Sequence, residues 1–241
     1  MQKLDARKED ILQALIAEYI RTGEPVSSED LRKRYRFSFS PATIRKELLL
    51  LSDMGYLMQP HTSAGRVPTD AGYRWYVDQL GDRQPAETPR ASRKDTEALA
   101  GLQACRDLEE FFQTSTELLA GAAHALAIGG VLSNEREPFY KSGFSEVLAD
   151  PEFIGLEERN HFGALVDSID LAVRKLAATG SNLTPQVFIG DENPIREARR
   201  YSMVVRLISR GGAVGVLAVV GPKRLRYDES LLLLEALENI A

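Results

Sequence analysis

Residues 40 to 69 constrain the fold more than any other stretch: S-P-A-T-I-R-K-E-L-L-L-L-S-D-M-G-Y-L-M-Q-P-H-T-S-A-G-R-V-P-T. Ser40 has the side chain of a good N-cap. Pro41 sits at the first helical position, where its missing N–H costs nothing and its fixed φ already suits a helix. Ile44, Leu48 and Leu51 recur at helical spacing and predict a core-facing stripe, which leaves Ala42, Thr43, Arg45 and Lys46 on or beside the open face of the first turns. Gly55 is expected at the C-cap. Tyr56 to Gln59 then reads as a short strand, and a loop with Gly65 and Arg66 returns the chain through Val67 to Thr69. The pattern is a helix with a β-hairpin attached.

What precedes it is helical. From Leu4 to Thr22 the set Ile11, Leu12, Leu15, Ile16, Tyr19 and Ile20 follows one helical stripe, stopped by Gly23 and Pro25. Ser27 or Ser28 caps a short second helix reaching about Tyr35, with Val26 placed as a hydrophobic staple. Its end, Arg32-Lys33-Arg34-Tyr35-Arg36, holds four cations in five residues; a solvated helix end and a phosphate-contacting edge both fit such a cluster. Phe37-Ser38-Phe39 turns directly into the Ser40 helix. Three helices and a hairpin in this order predict a winged helix-turn-helix over residues 1–80, a fold that lays its third helix in the DNA major groove. Thr69 caps a further helix whose Tyr73, Trp75, Tyr76, Val77 and Leu80 suit packing better than base stacking.

The net charge of the 241-residue chain is −5, which by itself argues against a polyanion partner. Residues 1–80, however, carry 12 Lys and Arg against 11 Asp and Glu, a net of +1, and the remainder is −6. DNA binding therefore has to rest on local clustering, as at 32–36, 45–46 and 66. No apolar run approaches the roughly 20 residues of a membrane span, and the first residues lack a signal-peptide core, so a cytoplasmic, nucleoid-associated protein is expected. Cys105 is a lone cysteine, and His61, His124 and His161 have no metal-ligand spacing; no metal or other cofactor is expected. No G-x-S-x-G, P-loop or framed pair of acids suggests an enzyme.

Residues 81–94, with Pro85 and Pro89 and no apolar period, read as a linker. Residues 95–241 form the second predicted domain. Asp95 to Ile128 reads as one long helix, able to pack on its own domain or on a second copy. Phe139 to Val147 is irregular, and Leu156 to Ala178 is an amphipathic helix. Val187 to Ile189, Met203 to Ser209 and Val214 to Val220 read as strands, the last two joined at Gly211-Gly212 and the last covered on both faces. Asp228 caps a final helix from Glu229 to Ile240. The fold class is α+β in two domains.

P-A-T-I-R-K-E-L at 41–48 and G-Y-L-M-Q-P-H-T-S-A-G-R-V-P-T-D-A-G-Y-R-W-Y-V-D at 55–78 closely resemble the heat-inducible transcription repressor HrcA family. So do R-T-G-E-P-V-S-S at 21–28, F-Y-K-S-G-F-S-E-V-L-A-D-P-E-F at 139–153, I-G-D-E-N-P at 189–194 and V-G-V-L-A-V-V-G-P-K-R-L-R-Y at 214–227. The resemblance implies a winged-helix domain, a GAF-like domain and an inserted dimerisation domain. It implies a homodimeric repressor on an inverted-repeat operator upstream of chaperone genes, with a chaperonin as modulator and release under heat. Between the predicted long helix and Phe139 there is almost no length for the insert or for the first strands of a GAF-like sheet, so a shortened GAF-like domain is expected. Lys46 stands where the family usually has an amide.

On this reading Thr43, Arg45 and Lys46 contact base edges or flanking phosphates, and Ser40 meets a phosphate at the helix N-terminus. Arg66 on the wing enters the minor groove or holds the backbone, and Arg32, Lys33, Arg34 and Arg36 add phosphate contacts. His61, Thr62 and Ser63 are polar candidates in the wing, although His61 equally suits a turn residue bonded to its own loop. The alternative is a ligand-sensing winged-helix regulator whose GAF-like domain binds a small molecule.

Overall fold

The computed structural model describes residues 4–62, 64–81, 93–132, 139–153, 155–179 and 184–241. The chain divides into two units, Met1–Asp82 and Arg83–Ala241. The expected linker falls almost wholly outside the described residues.

In the first unit, helix α1 (Ala6–Thr22) starts at Asp5, whose carboxylate accepts from the Lys8 N–H at 3.0 Å. Helix α2 (Ser28–Arg34) opens with a capping box: the Ser27 hydroxyl accepts from the Asp30 N–H, and the Asp30 carboxylate accepts from the Ser27 N–H. Helix α3 (Pro41–Asp53) begins as the sequence predicts, with the Ser40 hydroxyl accepting from the Thr43 N–H at 3.1 Å. Strands β1 (Leu57–Met58) and β2 (Val67–Pro68) pair antiparallel and lead into α4 (Asp70–Gly81), where Thr69 Oγ1 accepts from the Gly72 N–H. Ile11, Leu12, Leu15 and Ile16 of α1 are buried with Ile44, Leu48 and Leu51 of α3. Tyr73, Trp75 and Tyr76 of α4 are buried as well, so these aromatics do core work.

The second unit holds helices α5 (Arg93–Ala104) and α6 (Leu108–Ala123), strands β3 (Leu126–Val131) and β4 (Tyr140–Ser142), and helices α7 (Phe144–Ala149) and α8 (Leu156–Thr179). Strands β5 (Gln186–Ile189), β6 (Ser202–Arg210) and β7 (Ala213–Gly221) and helix α9 (Tyr227–Asn239) follow. The five strands form one antiparallel sheet in the order β4-β3-β7-β6-β5. One face buries Leu126, Ile128, Met203, Val205, Val216, Ala218 and Val220 against Phe162, Leu165, Ile169 and Val173 of α8. The other meets α6 and α9. Antiparallel sheet with flanking helices makes the protein α+β.

Three expectations are corrected. The single helix over 95–128 is two helices and a strand: the chain breaks at Cys105–Asp107, Asp107 caps α6 by accepting from the Glu110 N–H at 2.8 Å, and Leu126–Val131 pairs with β7 along its whole length. Ala125 to Ile128 are all fully buried, and an apolar run covered on both faces carries no periodicity that separates helix from strand. The stretch 139–147, expected to be irregular, is β4 followed by the start of α7, so it supplies one edge of the sheet. The last helix starts at Tyr227, with Arg226 rather than Asp228 in the N-cap position.

At Gly215 the sheet lies against α6 so closely that an added Cβ would lie 2.0 Å from Phe112 Cζ. Gly215→Ala is therefore expected to lower unfolding free energy by about 1–3 kcal/mol through overpacking. Urea denaturation should show the loss partly reversed in the double variant with Phe112→Leu, because the two sites share one contact.

Candidate nucleic-acid interface

Helix α3 has two chemically distinct faces. Ile44, Glu47, Leu48 and Leu51 are buried, while Ala42, Arg45, Lys46, Leu49 and Asp53 are exposed. Glu47 is the unexpected member of the inner set. Its carboxylate faces the N-terminal turn of α1, 3.5 Å from Arg7 Nη1 and 3.4 Å from Lys8 Nζ. A buried carboxylate is tolerable only when paired, so this contact ties the orientation of α3 to α1. The Arg7 guanidinium also lies 5.0 Å from the Phe39 ring centroid. Phe39, Phe37 and Tyr35 stack at 5.9 Å intervals along the α2–α3 turn, with exposed Arg36 and Ser38 between them. At the helix N-terminus the Ser40 and Thr43 hydroxyls are 2.9 Å apart.

The β1–β2 loop is built around Gln59, a residue the sequence did not single out. Its side-chain amide donates to the carbonyls of Thr62 (3.0 Å) and Ala64 (2.9 Å), and the Ala64 N–H donates to the His61 carbonyl. His61 thus forms part of a turn, with its side chain exposed. Ser63 lies outside the described residues. Gly65 passes so close to the segment leading into α2 that a Cβ would stand 2.5 Å from the Val26 carbonyl carbon and oxygen. Arg66 exchanges two backbone hydrogen bonds with Val26, and its half-buried guanidinium donates through Nε to Ser52 Oγ of α3 at 3.0 Å. Arg66 therefore braces the ribbon against α3. Between ribbon, α2 and α3 lies a cleft of about 330 Å³ lined by Ser28, Arg45, Leu48, Gln59, Thr62 and Arg66.

The basic cluster splits. Arg32, Lys33 and Arg36 are exposed, whereas Arg34 Nε is 3.0 Å from Glu18 Oε1, a buried carboxylate that also holds Arg21 at 2.7 Å. Arg34 joins α2 to α1. The structure thus brings Arg45, Thr62 and Arg66 to one cleft and leaves Lys46, Arg32, Lys33 and Arg36 open to solvent. Arg45 and Lys46 have no ion-pair partner among the described residues. Glu18, Glu47, Ser52 and Gln59, which position these groups, went unremarked in the sequence. The signal for Glu47 was there: it follows Ile44 at i+3 on the core stripe, where an acid demands a partner.

In the second unit a cleft of about 440 Å³ is lined by Glu152, Phe153, Glu158, Arg199, Arg200, Tyr201 and Lys223. Arg200 already binds Glu158 at 2.6 Å and Arg224 binds Glu152 at 2.8 Å. Burial pushes the Tyr201 phenol up to about 12 and raises the Glu152 carboxyl despite Arg224. Glu157, Glu158 and His161 bring side-chain oxygen and nitrogen atoms within 4.8 Å of one another, but Arg200 occupies both carboxylates. No helix among the described residues is long and apolar enough to cross a membrane.

The family described as "HrcA protein C terminal domain" matches residues 88–231, more than half of the chain. The chain belongs to the HrcA family. The heat-inducible transcription repressor HrcA of Thermobifida fusca is 43% identical over 125 residues, 52% of this chain and 35% of that protein. The repressor of the same name from Roseiflexus castenholzii is 29% identical over 329 residues, 95% of this chain and 90% of that protein. At the higher identity, then, the chain spans about a third of the length of the curated relatives it matches. In the longer alignment 329 positions face 95% of 241 residues, about 229, so about 100 positions of the relative have no counterpart here. A crystal structure described as a hypothetical protein, at 2.2 Å resolution, shares the fold with a TM-score of 0.77 at 21% identity, covering 99% of this chain and 98% of that one.

Two measurements check the local geometry. Ser40→Ala should cost about 1 kcal/mol of stability and Ser40→Gly only a few tenths, by thermal melting, since glycine tolerates an uncapped N-terminus better. The Ser27 hydroxyl holds the Asp30 carboxyl below its ordinary value of 3.8. Because the fold favours the charged form, the stabilisation is complete above that value and is lost as pH falls through and below it; Asp30→Asn should flatten the acid limb of a stability–pH curve.

Proposed function

We propose that the first unit is a winged helix-turn-helix and that the chain is a transcription repressor of heat-shock chaperone genes, bound to an inverted-repeat operator as a homodimer. The observation that carries this reading is the cleft joining Arg45 of α3 to Thr62 and Arg66 of the ribbon, beside a helix face whose Arg45 and Lys46 have no ion-pair partner among the described residues. A helix with one face locked to a core and the other cationic is shaped to enter a major groove, with the ribbon as the wing. Arg45 and Lys46 suit the O6/N7 edge of guanine; Thr43 and Ser40 suit a base edge or phosphate at the helix start. Arg32, Lys33 and Arg36 supply phosphate contacts, and His61, Thr62 and Ser63 are the polar candidates of the wing. Arg66 acts chiefly by holding the wing to α3, and Arg34 by holding α2 to α1.

The names of the relatives support repression and heat induction. The second unit is read as the GAF-like domain, with release under heat and a chaperonin as modulator. Two linked modules on a two-fold operator give affinity that one module lacks, so the homodimer is part of the proposal even though about 100 positions of the longer relatives are missing here. A protein acting on the chromosome belongs in the cytoplasm, at the nucleoid. The alternative, a ligand sensor, would use the cleft at Tyr201, but the carboxylates there already answer its arginines.

Fluorescence-anisotropy titration of an inverted-repeat duplex and a scrambled duplex of equal composition, at two salt concentrations, tests the reading. A preference of at least about 10³ with two chains per duplex is expected. Equal, weak and steeply salt-dependent binding to both would refute specific repression. With about five phosphate contacts per module the log–log salt slope is about −4.5. Arg45→Ala should cost about 1–3 kcal/mol and relax sequence preference, whereas Arg36→Ala should reduce the slope by about 1 without changing preference.

A further inference from the structure

Ala42, Arg45, Lys46, Leu49 and Asp53 are the exposed residues of α3. Counted from Ala42 they fall at i, i+3, i+4, i+7 and i+11, one stripe opposite the buried Ile44, Leu48 and Leu51. Leu49 is 52% exposed in the middle of that stripe. A single exposed leucine is ordinary on a protein surface. Its neighbours are what give this one meaning: it follows Arg45 at i+4 and Lys46 at i+3, so a partner that meets those cations meets the leucine next.

Such a partner is anionic and presents an apolar group a helical turn away from the anionic contact. In the major groove that group is the C5-methyl of thymine, the one apolar feature on the base edges there. We propose that Leu49 reads a thymine methyl and so determines a position of the target that Arg45 and Lys46 leave unspecified. The proposal rests on the DNA-binding reading above. Four residues advance the helix by roughly 6 Å, so the thymine lies about two base-pair steps from the base or phosphate that Arg45 meets. Cytosine at that position is disfavoured, because its N4 amino group would lose water against the leucine and gain no acceptor. Asp53, the next residue on the stripe, bounds the contact, since its carboxylate repels the phosphate wall.

The test uses a duplex that the full chain selects from a randomised double-stranded pool. Each thymine of that duplex is replaced singly by deoxyuridine, which removes only the methyl, and wild type and Leu49→Ala are titrated against every duplex. For wild type, one thymine per half-site should lose about fourfold in affinity on replacement. Leu49→Ala should bind the parent duplex more weakly by a similar factor and show no loss at that thymine, the signature of a direct pair in a double-mutant cycle. Equal melting temperatures of the two proteins establish that the variant is folded. A scan with no sensitive thymine, or with one whose loss is undiminished in Leu49→Ala, overturns the assignment while leaving DNA binding intact. A variant that changes the number of chains per duplex rather than the deoxyuridine response makes Leu49 a contact between copies, and also overturns it. Recovery of no preferred duplex overturns this assignment and the proposed function together.

Discussion

The direction in which α3 faces governs everything proposed for the first unit. Ile44, Leu48 and Leu51 bury one stripe with α1, which removes apolar area from water at roughly 25 cal/mol per Å² and leaves the opposite stripe no alternative to solvent or ligand. Hydrophobic burial is non-directional, and an apolar stripe alone lets a helix roll by some degrees. The Glu47 pair with Arg7 and Lys8 is directional, and breaking it would strand a buried carboxylate. Packing supplies the attraction; the ion pair supplies the angle at which Arg45, Lys46 and Leu49 are presented.

The same division of labour appears where the ribbon meets the helices. Two strands of two residues each cannot hold themselves in water, and five hydrogen bonds help place them: two in the Val26–Arg66 backbone bridge, one from Arg66 Nε to Ser52, and two from the Gln59 amide across the loop. An arginine at the centre of a basic surface is here partly a structural strut. Cations in this unit accordingly do two jobs. Arg7, Lys8, Arg21 and Arg34 pair with buried acids, and Arg32, Arg36, Arg45 and Lys46 stay open. That split explains how residues 1–80, with a net charge of only +1, still offer a concentrated cationic face.

The second unit obeys a different constraint. A five-stranded sheet covered by α8 on one face and by α6 and α9 on the other has no solvent side for its central strands, and β7 is buried from Gly215 to Gly221. The absence of side chains at Gly129 and Gly215 lets Thr116 and Phe112 of α6 sit directly over the backbone. Close packing of this kind has few neighbouring solutions, so a residue larger than glycine at either position would have to displace α6.

The sequence by itself determined the elements whose signals are local: the Ser40–Pro41 start of α3, a serine cap at 27 or 28 opening α2, the Gly211–Gly212 hairpin and the 3.6-residue stripes of α1, α3 and α8. Caps, turns and amphipathic periods are set by residues within a few positions of one another, so they are legible along the chain. Only the tertiary structure decided that Leu126–Val131 is a strand, because its partner β7 lies about 90 residues away and burial on both faces erases the period. Only the tertiary structure separated Arg34 from Arg32 and Arg36, and tied Arg66 to Ser52, since which cation meets an acid or a hydroxyl depends on how helices cross. Residue types placed the cationic candidates; long-range packing decided which of them remain free to meet a ligand.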